Sequence, residues 1–157
     1  MRVLYDQNTH VAKFVAQLVP HCSRGFGACQ TIGIIDDEGR LVAGLVYHNY
    51  DPEAQIIEIS GASLPGKQWL TRGTIQAMYS YPFHGLGCQM IVQRTPASDT
   101  RLLGMLAAYD YHFIKIPRMF GRYRDGVLCC LTREAWAANR FNRRFKHHIK
   151  PVLEEAA

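Results

Sequence analysis

Apolar positions along this chain switch between two periods, and the switches mark out the elements. Residues 2–5 (RVLY) read as a short first strand. Val11, Phe14, Val15, Leu18 and Val19 then recur at helical spacing, forming one apolar stripe; Asn8 or Thr9 is placed to cap it and Pro20 to stop it. HCSRGFGAC follows as a glycine-bearing loop. From Cys29 the period becomes that of a strand. CQTIGIID and RLVAGLVYHNY are joined by Asp37-Glu38-Gly39, and QIIEIS follows, so residues 29–60 predict an antiparallel meander. A helix is predicted over Gln68–Tyr81, with Leu70, Gly73, Thr74, Ala77, Met78 and Tyr81 on one face and Pro82 at its end. CQMIVQRT has apolar neighbours on both faces, as a central strand does. Ser98 or Asp99 caps a helix over Arg101–Tyr109, and HFIKIPRMF and GVLCCLT are two further strands linked by GRYRDG. The tail from Arg133 reads as helical. Trp136, Ala137, Phe141 and Phe145 give it an apolar side; Arg140, Arg143, Arg144 and His147 line another.

The order β-α-loop-β-β-β-α-β-α-β-β-α predicts an α/β fold: a mixed, mostly antiparallel sheet with one β-α-β crossover, flanked by helices. At 157 residues this is one domain, with residues 1–136 as its body and 137–157 as a basic tail belonging to it. Apolar residues at 48% and charged residues at 20% exclude a disordered chain. No apolar run is long enough to span a membrane, and MRVLYDQNTH lacks a signal-peptide pattern, so a cytoplasmic protein is expected. The five cysteines form no CxxC pair and read as reduced thiols. His147-His148 diverge on a helix and lack a third ligand, so no metal is expected.

The net charge of +5 is unevenly placed. Residues 133–150 alone sum to +5, leaving the remainder neutral. Such a segment, with Arg140, Arg143 and Arg144, suits a nucleic-acid arm or a solvated helix face.

The most informative stretch is Gln55–Phe83, where a strand meets a glycine-flanked helix start. Free amides and the helix dipole at such a junction cradle phosphates. Here Gly66 and Gly73 bracket Lys67, Gln68, Trp69, Leu70, Thr71 and Arg72, with Lys67 and Arg72 adding charge or simply facing solvent. Glu58 lies between Ile57 and Ile59 on what should be a central strand. Burial there would raise its pKa toward that of a useful base, unless it is spent in an ion pair with Arg40 or Arg94. His48 ends the preceding strand and suits a base or water relay, or a structural hydrogen bond. By alternation His48 and Tyr50 share one face, and Tyr47 and Asn49 the other.

These segments together resemble the GNAT acyltransferase superfamily, over roughly residues 2–136. GIIDDEGRLVAGLVYHNY resembles its second and third strands, and QIIEISGAS with WLTRGTIQAMYSYPF its fourth strand and cofactor helix. GLGCQMIVQRTPASDTRLLGMLAAYDYHF and MFGRYRDGVLCCLTREAW resemble the remainder. YHNYDPE, with W-x-x-R ahead of PF-x-x-L-G, is similar to a phage and prophage branch, and more distantly to ribosomal-protein alanine acetyltransferases.

The resemblance implies transfer of an acyl group from acyl-CoA, acetyl-CoA being the expected donor, to a small-molecule or macromolecular amine. It implies that Ser60, Gly61 and Ala62 pair with the pantetheine arm and that Glu58 acts on the amine proton. Tyr109, Tyr111 and Tyr123 are available as acids, with Tyr109 the one assigned, and Tyr47, Asn49, Tyr50 and Tyr123 as acceptor contacts. The chain departs from the family pattern at the pyrophosphate loop, where GKQWLTRG stands. It also departs at Asp99 in place of a helix Asn, at Asp110-Tyr111 in place of Gly-Phe, and at Leu106 near the position of the acid tyrosine. Two further readings follow: a Mom-like enzyme acting on DNA bases, by analogy of fold, and a non-catalytic binding module, monomeric or dimeric.

Overall fold

The computed structural model describes residues 1–142. Strand β1 (Arg2–Leu4) leads to helix α1 (Asn8–Leu18), a 3-10 turn (Pro20–Cys22) and a loop. The meander β2 (Cys29–Ile35), β3 (Leu41–Asp51) and β4 (Ile56–Ser63) follows. Then come α2 (Arg72–Ser80) with a π-turn (Tyr81–Gly85), β5 (Met90–Pro96), α3 (Thr100–Ala108), β6 (His112–Gly121), β7 (Arg124–Thr132) and α4 (Arg133–Ala138). All seven strands form one sheet in the order β1-β2-β3-β4-β5-β7-β6. Only β4 and β5, the two ends of the α2 crossover, pair in parallel. The predicted mixed α/β sheet is therefore the observed one.

Alternation along the central strands sorts their side chains onto two faces. One face packs on α1, where Val11, Val15 and Val46 form a small cluster. The approach is close because β3 carries Gly44: a Cβ there would stand 2.8 Å from Val15 Cγ2 and 2.9 Å from Val11 Cγ1. The other face holds the main core. Ile32, Ile34, Leu45, Tyr47, Ile57 and Ile59 meet Ile75, Met78 and Tyr79 of α2, Leu106 of α3 and Trp136 of α4.

Several expected boundaries shift for local reasons. Asn8 does not cap α1. Its Oδ1 accepts from the Thr31 backbone (2.8 Å) and hydroxyl (3.0 Å), so it braces β2, and Gln7 occupies the cap position. Helix α2 starts at Arg72 rather than Gln68. Thr71 and Thr74 form a capping box, and the Thr74 hydroxyl also donates to the Trp69 carbonyl, which holds residues 68–70 outside the helix. Pro82 does not end the chain's winding at once; the π-turn carries it to Gly85, with the Leu86 amide closing on Tyr81. Asp99 caps α3 through the Leu102 amide. The tail helix stops at Ala138, because Asn139 is extended (φ −63°, ψ 145°). The continuous basic stripe expected from Arg140 therefore does not begin inside one helix with Arg133. Arg143 and Arg144 lie outside the described residues.

Candidate active site

The site forms where β5 leaves β4. Their ladder runs Ile56–Glu58 against Met90–Val92. Beyond it, β4 stays paired to β3 as far as Ser63, and β5 stays paired to β7 as far as Pro96. The two strands thus part at Glu58, opening a cleft whose one wall is the Ile59–Ser63 backbone. A cleft of this kind suits the amide-bearing arm of an acyl carrier, which can continue the strand's hydrogen bonding.

Three side chains from the face that packs on α1 meet at the apex. His48 and Glu58 are opposite each other in the β3–β4 register, and Ser60, two residues along β4, shares their face. Ser60 Oγ lies 2.9 Å from His48 Nε2, and Cys22 Sγ lies 3.9 Å from Ser60 Oγ. The Phe26 ring sits edge-on to His48 at 4.9 Å. His48 is 4% and Glu58 8% exposed.

Glu58 is fully engaged: Arg94 Nε donates to Oε1 (2.8 Å) and Asn49 Nδ2 to Oε2 (2.8 Å). Burial alone pushes its pKa up. The Arg94 and Asn49 hydrogen bonds and the charges of His48 and Arg94 outweigh that, so Glu58 sits below the ordinary carboxylate range. The expected upward shift is therefore corrected, and the ion pair with Arg94 is the partnership that forms. Arg40 instead pairs with Asp36 at the β2–β3 turn. For His48, burial pushes the imidazole down; Glu58 opposes the shift and Arg94 adds to it, leaving it below 6.5. At neutral pH it is an uncharged ring with a lone pair to offer.

The Asn49 contact overturns the alternation argument. Asn49 has φ +51°, and the β3–β4 register slips between His48 and Asp51. A bulge built on a left-handed Asn turns the side chain toward Glu58 on the His48 face. Tyr47 stays opposite, fully buried, with its hydroxyl donating to the Met78 carbonyl (2.6 Å). It is a core residue and contacts no acceptor from there. Tyr50, at the strand end, is exposed.

Other expected residues are not at the apex. Tyr109 is buried on the far face among Tyr79, Trp136 and Phe141, and burial raises its pKa. Its ring is packed into the core and is not among the side chains that meet at Glu58. Tyr111 is buried beside Tyr79, hydroxyl to hydroxyl at 3.1 Å. Tyr123 is 90% exposed at the tip of the β6–β7 hairpin. In the phosphate segment, Gly66 has φ +72°, consistent with a turn that admits only glycine without strain. Lys67 and Arg72 are exposed. The capping box takes the Thr74 amide, so one of the helix-end donors expected for pyrophosphate is already used by Thr71.

Cys22, Phe26 and the hydroxyl role of Ser60 were not legible in the sequence. Ser60 could have been placed from its i+2 spacing to Glu58. Cys22 and Phe26 enter from a loop whose path no periodicity encodes.

No protein-family model matches the sequence, and no curated protein matches it. Solved structures do. A single-site mutant of spermidine N-acetyltransferase SpeG from Vibrio cholerae superposes with a TM-score of 0.70 at 11% identity, covering 88% of this chain and 98% of that one. The dodecameric form of spermidine N-acetyltransferase from Vibrio cholerae gives 0.64 at 14% identity, over 71% of this chain and 69% of that one. A structure named "Probable acetyltransferase" gives 0.59 at 17% identity, over 70% of this chain and 65% of that one. The fold is that of the GNAT acetyltransferases.

Proposed function

We propose that this chain is an acyl-CoA-dependent N-acyltransferase, with acetyl-CoA as donor, acting by direct attack of an amine. The observation that carries the reading is the coincidence of the β4–β5 parting with the His48–Ser60–Glu58 cluster at its apex. The fold, shared with structures of N-acetyltransferases, supports it.

The Ile59–Ser63 edge suits the pantetheine arm, with Ser60, Gly61 and Ala62 as its backbone partners. Gly66–Gly73, with Lys67 and Arg72, suits the phosphates, although Thr71 has claimed part of the donor set. When bound, the coenzyme supplies a thioester carbonyl and a thiolate leaving group. The protein's own work is to position the amine and take its proton. With Nε2 unprotonated, His48 accepts from Ser60 Oγ, which in turn takes the amine proton. Glu58 is already ionised and pinned by Arg94 and Asn49. Its charge stabilises the imidazolium that forms, which makes it an electrostatic partner rather than the base itself.

Calorimetric titration with acetyl-CoA tests the reading. Wild type binds, and the exposed charge reversals Lys67→Glu and Arg72→Glu together weaken binding by about tenfold or more, the worth of a charge-assisted contact. Absence of binding by wild type, or binding unchanged by both reversals, contradicts it.

A further inference from the structure

Arg94 is joined to the apex with most of its donors unspent. Its Nε donates to Glu58 Oε1 at 2.8 Å, while Asn49 Nδ2 holds Oε2 at 2.8 Å. The guanidinium therefore meets the carboxylate by one prong rather than as a fork. Its two terminal nitrogens have no partner among the described residues, and its side chain is 43% exposed against 10% for Glu58. The inner edge of the guanidinium is thus pinned by a buried acid, and the rest of the group meets solvent. A guanidinium held in this way offers paired N–H donors, the geometry that receives a carboxylate.

Arg94 is also well placed. It stands two residues past Val92, the last β5 residue laddered to β4, and so beside the parting of the two strands. Through Glu58 it joins the face that carries His48 and Ser60. Phe26 covers the His48 ring from the segment after α1. His48 is buried whereas Asn49 and Arg94 are exposed, so solvent reaches the apex from the Asn49 and Arg94 side. Ser60 lies two residues from Glu58 along β4, roughly 7 Å at strand rise. An acceptor whose nitrogen reaches the Ser60 hydroxyl passes the guanidinium on its way in, and a short one can touch both.

The charges select among amines. An amine that bears its own carboxylate is a zwitterion. Its anionic end complements Arg94, and its ammonium end enters the field of ionised Glu58, so its dipole runs opposite to that of the Glu58–Arg94 pair. An aliphatic polyamine has no anionic end. It would bring a second cation against an exposed arginine, while Glu58 is already saturated by Arg94 and Asn49.

We infer that the acceptor is a small amino carboxylate, a free amino acid being the simplest, whose carboxylate is received by the terminal nitrogens of Arg94 while its amine meets Ser60. This rests on the acyltransferase reading above. In the step, the ammonium first gives one proton to bulk water. The neutral amine nitrogen then bonds to the acyl carbon and the thioester C–S bond breaks. The second amine proton passes through Ser60 to His48, and the thiolate leaves as coenzyme A and takes a proton from solvent.

The test uses the full chain, isotope-labelled acetyl-CoA and the common amino acids, each beside its carboxamide, with spermidine in parallel and mass spectrometry as the readout. At least one amino acid is acylated on nitrogen. Its carboxamide keeps the amine but loses the charge, and kcat/KM is lower by about tenfold to a hundredfold, the worth of hydrogen bonds to a charged group. Arg94→Lys keeps a cation beside Glu58 but not the paired donors, so the acid-to-amide ratio falls toward one, whatever happens to the two rates together. An Arg94 that only holds Glu58 in place would lower both rates and leave the ratio unchanged, and that result overturns the inference. Wild type alone also decides: carboxamides or spermidine acylated as well as amino acids overturn it. Weaker acetyl-CoA binding by Arg94→Lys in calorimetry, with the ratio unchanged, assigns the arginine to the coenzyme and overturns it too. Acetyl-CoA binding without label in any amino acid overturns this inference and leaves the acyltransferase reading standing. Absence of acetyl-CoA binding overturns both.

Discussion

The two faces of the central sheet carry neighbouring residues to opposite ends. Tyr47 and His48 are adjacent on β3, and Ile57, Glu58 and Ile59 are consecutive on β4. Toward α2 and α3, Tyr47, Ile57 and Ile59 enter a core of Tyr79, Tyr109, Tyr111 and Trp136. There the phenols are neutral and buried, Tyr79 and Tyr111 hydrogen-bonded to each other and Tyr47 to the Met78 carbonyl. Toward α1, His48, Glu58 and Ser60 form a charged and titratable cluster that Cys22 and Phe26 approach from the segment after α1. The same burial that keeps Tyr47 neutral also disfavours charge on His48, an imidazole whose ordinary pKa is already near neutrality. What separates structural from chemical residues here is the face of one strand, set by a register that a single bulge at Asn49 then adjusts.

Substitutions on each face should separate the two roles. The largest effect is expected from His48→Ala: kcat of acyl transfer falls by about 10²–10⁴-fold, the usual worth of a general base. Acetyl-CoA affinity should stay within about twofold, because the change leaves the β4 edge and the Gly66–Gly73 segment intact. Trp136→Ala, on the core face, should instead cost about 3–5 kcal/mol of stability by denaturant unfolding. Equal losses of turnover at constant stability from both variants would erase the contrast. Gly44→Ala forces a methyl against Val11 and Val15 where α1 meets the sheet. A loss of about 1–3 kcal/mol is expected, the cost of overpacking.

Asn49→Ala sharpens the comparison further. It removes a hydrogen bond to Glu58 and places a less tolerant residue at φ +51°, for about 1–2 kcal/mol. With that bond gone, the Glu58 pKa should move upward.

The pH dependence has a definite sign. Both His48 and Glu58 have folded-state pKa values depressed below their ordinary 6.5 and 4.5. The unfolded chain therefore takes up protons first as pH falls, and stability declines from about pH 6.5 downward, with a second decline below about 4.5. On the proposed mechanism turnover needs neutral His48, so it should fall with a midpoint below 6.5 and be flat above it. The smallest effect is expected at Tyr109. Tyr109→Phe keeps the ring packing, and no described hydrogen bond is lost, so turnover should be unchanged. A large drop there would return the acid role to Tyr109.

Much of the fold was legible because its signals are local. The meander of residues 29–60, the crossover and the final hairpin each show their own period. Glu58 and His48 stood out as polar residues in apolar strands, and the Arg94 partnership was one of two alternatives that sequence could offer. What sequence could not supply was anything set by a non-local register. The turn of Asn49 toward Glu58 depends on a slip between β3 and β4. The burial of Tyr109 depends on Trp136 and Phe141 arriving from the chain's far end. The start of α2 at Arg72 depends on the Thr74 hydroxyl choosing Trp69 and Thr71 as partners. The downward shift of Glu58 is the same kind of case, since burial and ion pairing pull in opposite directions and only geometry decides which prevails.

The measurement that bears most directly on the account is single-turnover acyl transfer from saturating acetyl-CoA, comparing wild type with His48→Ala across pH. The account predicts a wild-type rate that titrates with a midpoint below 6.5 and a variant slower by about 10²–10⁴-fold with no such titration. A variant as fast as wild type, or a wild-type rate independent of pH through that range, would contradict it.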